Sequence, residues 1–188
     1  MDDNAIIDLY WERDNKAIEE TEKKYGRFCY SIAFNILGEK EDSDECVNDA
    51  YLNVWNAIPP TKPTYFSAFI GKITRNISLK KWKSKMADKR GAGQVQLALD
   101  ELEECIPSET SVEKAIEIKE LGGIIDVFLR ELPREERSIF LCRYWYMDSI
   151  ADICSQFKYK ESKVKMKLLR TRKKLLERLE REGYYGAK

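Results

Sequence analysis

Ser149-Ile-Ala-Asp-Ile-Cys-Ser-Gln-Phe157 reads as a short amphipathic helix, Lys158-Tyr159-Lys160 as a tight break, and Glu161 to Leu176 as a second helix with a basic face. That sequence of elements is the pattern of a helix-turn-helix, whose second helix lies in the DNA major groove. From Lys158 to Arg181 the chain holds eleven Lys or Arg against three acids. Val164, Leu168, Leu175 and Leu179 recur at helical spacing and are expected to face the protein. About half a turn away lie Ser162, Met166, Leu169 and Lys173, the positions expected to meet base edges. Lys163, Lys165, Arg170 and Arg172 fall to the sides, where phosphates would be. The alternative for the same residues is a solvated surface helix with a charge run.

No enzymatic constellation accompanies this segment. The 188 residues contain no histidine, which removes His-dependent triads and the commonest general base. There is no Gly-rich phosphate loop, and the acids fall on helical faces or in one acidic stretch. The five cysteines (Cys29, Cys46, Cys105, Cys142 and Cys154) are an odd, widely spaced set without a C-x-x-C pair. They suit neither a zinc site nor a disulfide framework, and four of them sit within apolar helical patterns. No catalytic residue, metal or cofactor is therefore expected. The cysteines suit a reducing compartment. The acidic start Met-Asp-Asp-Asn lacks an apolar signal core, and no apolar run approaches the roughly eighteen residues of a membrane helix. A cytoplasmic protein without direct membrane insertion is expected.

Charged residues make up 35% of the chain at zero formal net charge, but that neutrality is an average over blocks. Gly71 to Arg90 carries eight bases and one acid, whereas Asp100 to Glu113 carries six acids and no base. Such segregation points to surfaces for different partners. Helical periodicity runs almost throughout. A first helix spans Ile6 to Arg13. Ala17, Ile18, Thr21, Tyr25, Phe28, Cys29, Ile32, Ala33 and Ile36 share the apolar face of a second, which Gly38 ends. A third begins at an acidic cap, Asp42 or Ser43, and buries Val47, Ala50, Tyr51, Val54 and Ile58. Pro59, Pro60 and Pro63 break the pattern. Phe66, Phe69, Ile70, Ile73 and Ile77 then begin a fourth helix. Residues 91–112 lack a sustained period and read as a flexible acidic linker, with a nascent helix around Leu97 to Leu102. Helical pattern returns over Ile116 to Leu132 and again from Pro133 to Tyr144. The expected fold is all-α: two small helical domains, residues 1–90 and 113–188, joined by that linker.

The two halves together resemble the sigma-70 family of initiation factors, in the small two-domain form known as the extracytoplasmic function (ECF) group. The first half carries Leu9-Tyr-Trp-Glu-Arg13, Tyr25-Gly-Arg27, Asp42-Ser-Asp-Glu-Cys-Val-Asn-Asp-Ala-Tyr-Leu-Asn-Val-Trp55 and Phe66-Ser-Ala-Phe-Ile-Gly-Lys-Ile-Thr-Arg-Asn76, in the order and spacing of the family's region 2. The second carries Leu132-Pro133, Arg137, Ile153-Cys154 through Val164-Lys165 and Arg170-Thr-Arg-Lys-Lys-Leu175, in those of region 4. The similarity covers roughly residues 5–85 and 115–180. Two departures stand out. Lys158 occupies the recognition turn where the family commonly has glycine, and Lys80 stands where an Asp usually follows the Arg-Asn pair.

The resemblance implies that region 2 docks on core RNA polymerase and opens the upstream melted element, that region 4 binds the other promoter DNA element, and that an anti-sigma factor can cover these surfaces. A suitable docking face is legible in the residues: Glu45, Asp49, Leu52 and Asn56, with Asn48 at its edge, lie opposite the buried stripe of the third helix. An exposed leucine framed by acids suits a basic amphipathic partner. For melting, aromatic platforms and a cationic track hold unpaired bases. Tyr65, Lys72, Arg75, Asn76, Trp82 and Lys83 supply those types, with Arg75, Leu79, Trp82 and Lys83 expected on the side away from Ile73 and Ile77. Phe66 and Phe69 are expected in the core. Asp100, Glu101, Glu103, Glu104 and Glu109 are expected to imitate nucleic acid, or to lie against the chain's own basic surfaces. Two other readings remain open: a stand-alone helix-turn-helix regulator whose first domain binds a ligand or dimerises, and a helical adaptor that binds protein.

Overall fold

The computed structural model describes residues 1–86, 94–105 and 114–183, and every regular element among them is an α-helix. The chain divides into two compact units, Met1–Gly91 and Ala92–Lys188.

The first unit holds α1 (Asp3–Trp11), α2 (Lys16–Leu37), α3 (Lys40–Ala57) and α4 (Phe66–Met86). Asp2 caps α1 by accepting the Ala5 N–H. Gly38 ends α2 at φ 71°, a left-handed conformation that a residue without Cβ adopts freely. The three long helices pack on one another around Tyr10, Cys29, Ala33, Cys46, Val47, Tyr51, Val54, Phe66 and Ile70. The one polar group of Tyr10, its hydroxyl, is paired with Thr21 Oγ1 at 2.9 Å, and Thr21 donates to the Ala17 carbonyl at 2.7 Å. That pairing removes the cost of burying both hydroxyls. Gly71 lets α4 approach α2 closely: a Cβ there would lie 3.1 Å from two ring carbons of Phe28.

The start of α3 differs from the expected cap. The helix begins at Lys40, two residues before Asp42. Ser43 is fully buried and donates back to the Glu39 carbonyl. Asp42 turns toward α4, pairing with Lys81 at 3.0 Å and with Lys85. Both candidate caps are thus spent on other partners.

The buried stripe of α4 differs too. Phe66, Ile70, Thr74, Ser78 and Trp82, four residues apart, are all buried, whereas Ile73 and Ile77 are only half-buried. Thr74 donates to the Ile70 carbonyl and Ser78 to the Thr74 carbonyl, each at 2.9 Å. With their hydroxyls satisfied one turn back, two polar residues occupy core positions without an unpaired group.

The second unit holds α5 (Gln94–Glu103), α6 (Lys114–Glu131), α7 (Arg134–Tyr144), α8 (Ile150–Phe157) and α9 (Glu161–Arg181). α7 packs on both α8 and α9, with Ile139, Phe140, Met147, Ile153, Val164, Leu168, Leu175 and Leu179 buried. α5 gives the nascent helix expected within the linker a definite span. It packs on α7 and buries Val95 and Ala98, and Cys105 just beyond its end is buried as well. The expected helix near Leu97 lies within it. Asp88, Lys89, Arg90 and Glu109 lie outside the described residues.

Candidate nucleic-acid interface

The helix-turn-helix is built by local chemistry. Ser149 Oγ accepts the Asp152 N–H at 2.9 Å and the Asp152 carboxylate accepts the Ser149 N–H at 3.2 Å, a capping box that fixes the start of α8. Lys158 ends α8 in the left-handed region, at φ 54° and ψ 43°. A glycine would adopt this conformation freely, whereas Lys158 bears the Cβ clash. Tyr159 N–H returns to the Cys154 carbonyl at 3.0 Å, its hydroxyl donates to Glu135 of α7 at 2.9 Å, and α9 begins one residue after Lys160.

On α9 the inward positions Val164, Leu168, Leu175 and Leu179 are buried, joined by Thr171. Ser162, Lys163, Lys165, Met166, Leu169, Arg170 and Lys173 are exposed, Met166 by 47% and Leu169 by 39%. Met166 and Leu169 are two apolar side chains left open on a cationic helix. Lys163 lies over the Tyr159 ring, 3.4 Å from its centroid. Lys165 pairs with Glu161 one turn before it at 2.6 Å, an exposed pair that a phosphate can displace at little cost. Lys167 and Lys174 are committed to the back of the helix, pairing with Glu135 and Glu136 of α7 at 2.8 and 2.9 Å.

Arg172 departs from its expected place. Instead of standing free beside the groove-facing positions, it is drawn inward: Nη1 donates to the Tyr144 hydroxyl at 2.7 Å and lies 3.4 Å from Glu101 Oε2. The acidic segment thus supplies the partner, and no feature of the α9 pattern alone announces it.

In the first unit, Tyr65 is 74% exposed just ahead of α4, and Lys72, Asn76 and Lys83 are exposed along it. Arg75 is half-buried, and burial pulls its pKa down from the ordinary guanidinium value. Trp82 does not join this face. At 8% exposed it closes the buried stripe of α4, so its ring is not open to a base. The period-four positions between Phe66 and Trp82 are the signal that separates it from Lys83.

On α3, Glu45, Asn48, Asp49, Leu52 and Asn56 are all exposed, Leu52 by 56%. Glu45 also meets Lys81 of α4 at 2.6 Å. Beside Asn48 a groove between α2 and α3 is lined by Glu22, Gly26, Tyr30 and Tyr51, whose hydroxyl is buried without a partner. The stacked Tyr30–Phe34 pair, ring centroids 5.7 Å apart, leaves Phe34 43% exposed on α2. Sequence reasoning missed both, because Tyr30 and Phe34 fall outside the main apolar stripe of α2.

Among the described residues no group of three or more His, Cys, Asp or Glu is arranged to hold a metal ion. Comparison with protein families gives two matches in chain order: residues 23–87 match Sigma-70 region 2, and residues 123–175 match Sigma-70, region 4. The chain belongs to the sigma-70 family, in its ECF group. A search of the curated proteins found no match. The first match takes in α3 and α4 and the second takes in α7, α8 and most of α9, so both exposed faces of this sigma factor lie within family regions. Its two domains are those of a protein of transcription initiation. No described helix is long and apolar enough to cross a membrane.

Proposed function

We propose that this chain binds core RNA polymerase and directs it to a two-part promoter, with no chemistry of its own. The observation that carries the reading is the presence of both sigma regions in one chain, each presenting an exposed face of the chemistry its part requires. On α9, Met166 and Leu169 meet thymine methyls or groove shape, while Lys163, Lys165 and Arg170 hold phosphates. Around α4, Tyr65 offers a ring on which a base can stack, and Lys72, Asn76 and Lys83 line the path of an unpaired strand. The α3 face, with Leu52 between Asp49, Glu45, Asn48 and Asn56, receives a basic amphipathic helix of the polymerase. An anti-sigma factor that covers the same faces would silence the chain in the cytoplasm.

Asp49→Lys places a cation where the reading requires an acid, next to the exposed Leu52. Purified core polymerase should co-elute with the parent chain and not with this variant, while both give the same thermal unfolding. Co-elution of both would remove α3 as the docking face.

A further inference from the structure

We propose that Arg143, Tyr144 and Arg172 form a seat for a DNA backbone phosphate, and that the carboxylate of Glu101 occupies it in the free chain. The proposal rests on the reading of α9 as the DNA-facing helix. Two guanidiniums and a phenol, from α7 and α9, converge on a single carboxylate of α5. Arg143 Nη2 and Nε reach Glu101 Oε1 and Oε2 at 3.1 and 3.4 Å. Tyr144 donates to Oε2 at 2.8 Å and accepts from Arg172 Nη1 at 2.7 Å, which fixes the three groups relative to one another. Arg172 Nη1 is itself 3.4 Å from Oε2, and its Nη2 lies 3.7 Å from Glu104.

This is a built anion site rather than a surface ion pair. Arg143 is only 3% exposed, and a guanidinium so buried requires an anion beside it. The guanidinium fork accepts carboxylate and phosphate with the same geometry. One donor is left over: the buried Arg172 Nε has no hydrogen-bond partner. A phosphate, with more oxygens than a carboxylate, can use it.

The position of the seat is what connects it to DNA. Glu101 and Arg172 line one groove with Lys165 and Leu169, both on the exposed face of α9. The occupant is also suited to leave. α5 has ten residues, too few to be stable as an isolated helix. It is held on the unit by Glu101, by Glu104 and the buried Cys105 just beyond its end, and by the buried Val95 and Ala98, while Leu97 stays 52% exposed. Glu101 thus stands in for a phosphate, and DNA binding exchanges one anion for another as α5 lifts away.

The test uses the full chain carrying Leu97→Cys. Position 97 and the native Cys154 line the same groove. Cys154 is half-buried, whereas the other four native cysteines are buried and burial pushes their thiols up, that of Cys142 to about 12. A short bismaleimide joining position 97 to Cys154 holds α5 down, and a monofunctional maleimide gives the capped control. Anisotropy of a labelled mixed-sequence duplex is then measured against salt. The stapled chain should bind roughly tenfold more weakly than the capped one at low salt, as for loss of one charged hydrogen-bonded contact. Its salt slope should be shallower by about 0.9 per phosphate lost. Glu101→Gln, checked for folding by near-UV dichroism, should tighten duplex binding. Equal affinity and slope for stapled and capped chains would overturn the proposal while leaving α9 as the DNA reader. If inorganic phosphate alone speeds amide exchange over residues 94–105 and the duplex does not, the seat is a free-anion site and the proposal also falls. No duplex binding by either chain would sink the reading of α9 itself.

Discussion

Replacing Trp82 by alanine separates a core role from a DNA-contacting one. Trp82 is 8% exposed and ends the buried row of Phe66, Ile70, Thr74 and Ser78. Removing a buried aromatic of this size costs about 3–5 kcal/mol, because the lost transfer energy is joined by a cavity that the neighbours only partly fill. In a domain of this length each kcal/mol shifts the melting temperature by about 4–8 °C, so Trp82→Ala should lower that of the first unit by at least about 12 °C. Tyr65→Ala is the counterpart. With its side chain 74% exposed, Tyr65 packs against little, and its loss should change stability by no more than about 0.5 kcal/mol. It should nonetheless weaken capture of an unpaired base by about 1–3 kcal/mol, the value of one stacking platform. Calorimetry of both variants, with permanganate reactivity of unpaired thymines in a polymerase complex, distinguishes them. An unchanged melting temperature for Trp82→Ala, with loss of promoter opening alone, would refute the burial argument and return Trp82 to the DNA face.

Gly71→Ala drives a methyl to 3.1 Å from the Phe28 ring. Overpacking costs about 1–3 kcal/mol and alanine in the helix returns about 1, so the first unit should lose up to about 2 kcal/mol, read from urea midpoints. Lys158→Gly should stabilise the second unit by about 1 kcal/mol, since the left-handed strain of lysine at φ 54° exceeds the extra chain entropy of glycine; the same denaturation assay checks it. Asp3 provides a pH signature. Burial pushes its carboxyl up, but hydrogen bonds from Lys24 and Tyr25, both 2.6 Å, outweigh it and the net shift is downward. Its contribution is therefore present above the ordinary carboxylate value and lost as pH falls through the lowered one, so the stability gap between the parent and Asp3→Asn should close in acid. On α9, Met166→Ala should alter preference at one or two base pairs, while Lys165→Ala should weaken all duplexes similarly and flatten the salt dependence. Both are read from competition binding.

The parts legible in the sequence were those where side-chain pattern and local chemistry agree. The break at residues 158–160 is such a place: apolar spacing stops, three polar or aromatic residues intervene, and spacing resumes on α9 in register with Val164 and Leu168. The exposed α3 face follows equally directly from the stripe behind it. The misreadings share one physical origin, polar residues whose partners lie elsewhere in the fold. Thr74 and Ser78 hid the true stripe of α4, because a hydroxyl bonded to the carbonyl one turn back can enter a core. That displaced the apparent face and put Trp82 on the outside. Asp42 and Ser43 looked like caps because their alternative partners, Lys85 and the Glu39 carbonyl, are invisible to local pattern. Glu101 was legible in part. The acids of its stretch are expected against the chain's own basic surfaces, and Glu101 meets Arg172 of α9, but nothing in the pattern singles out Arg143 and Tyr144, 42 and 43 positions later, as its other partners.

Run-off transcription tests the central claim most directly. Core polymerase from the same cell, given fragments of that cell's own genome as templates, is assayed with and without the purified chain. The account predicts discrete transcripts that appear only when the chain is added, start at defined sites and disappear with Asp49→Lys. Unchanged transcription on addition of the chain, together with tight binding to a palindromic duplex without polymerase, would contradict it and identify a stand-alone DNA-binding regulator.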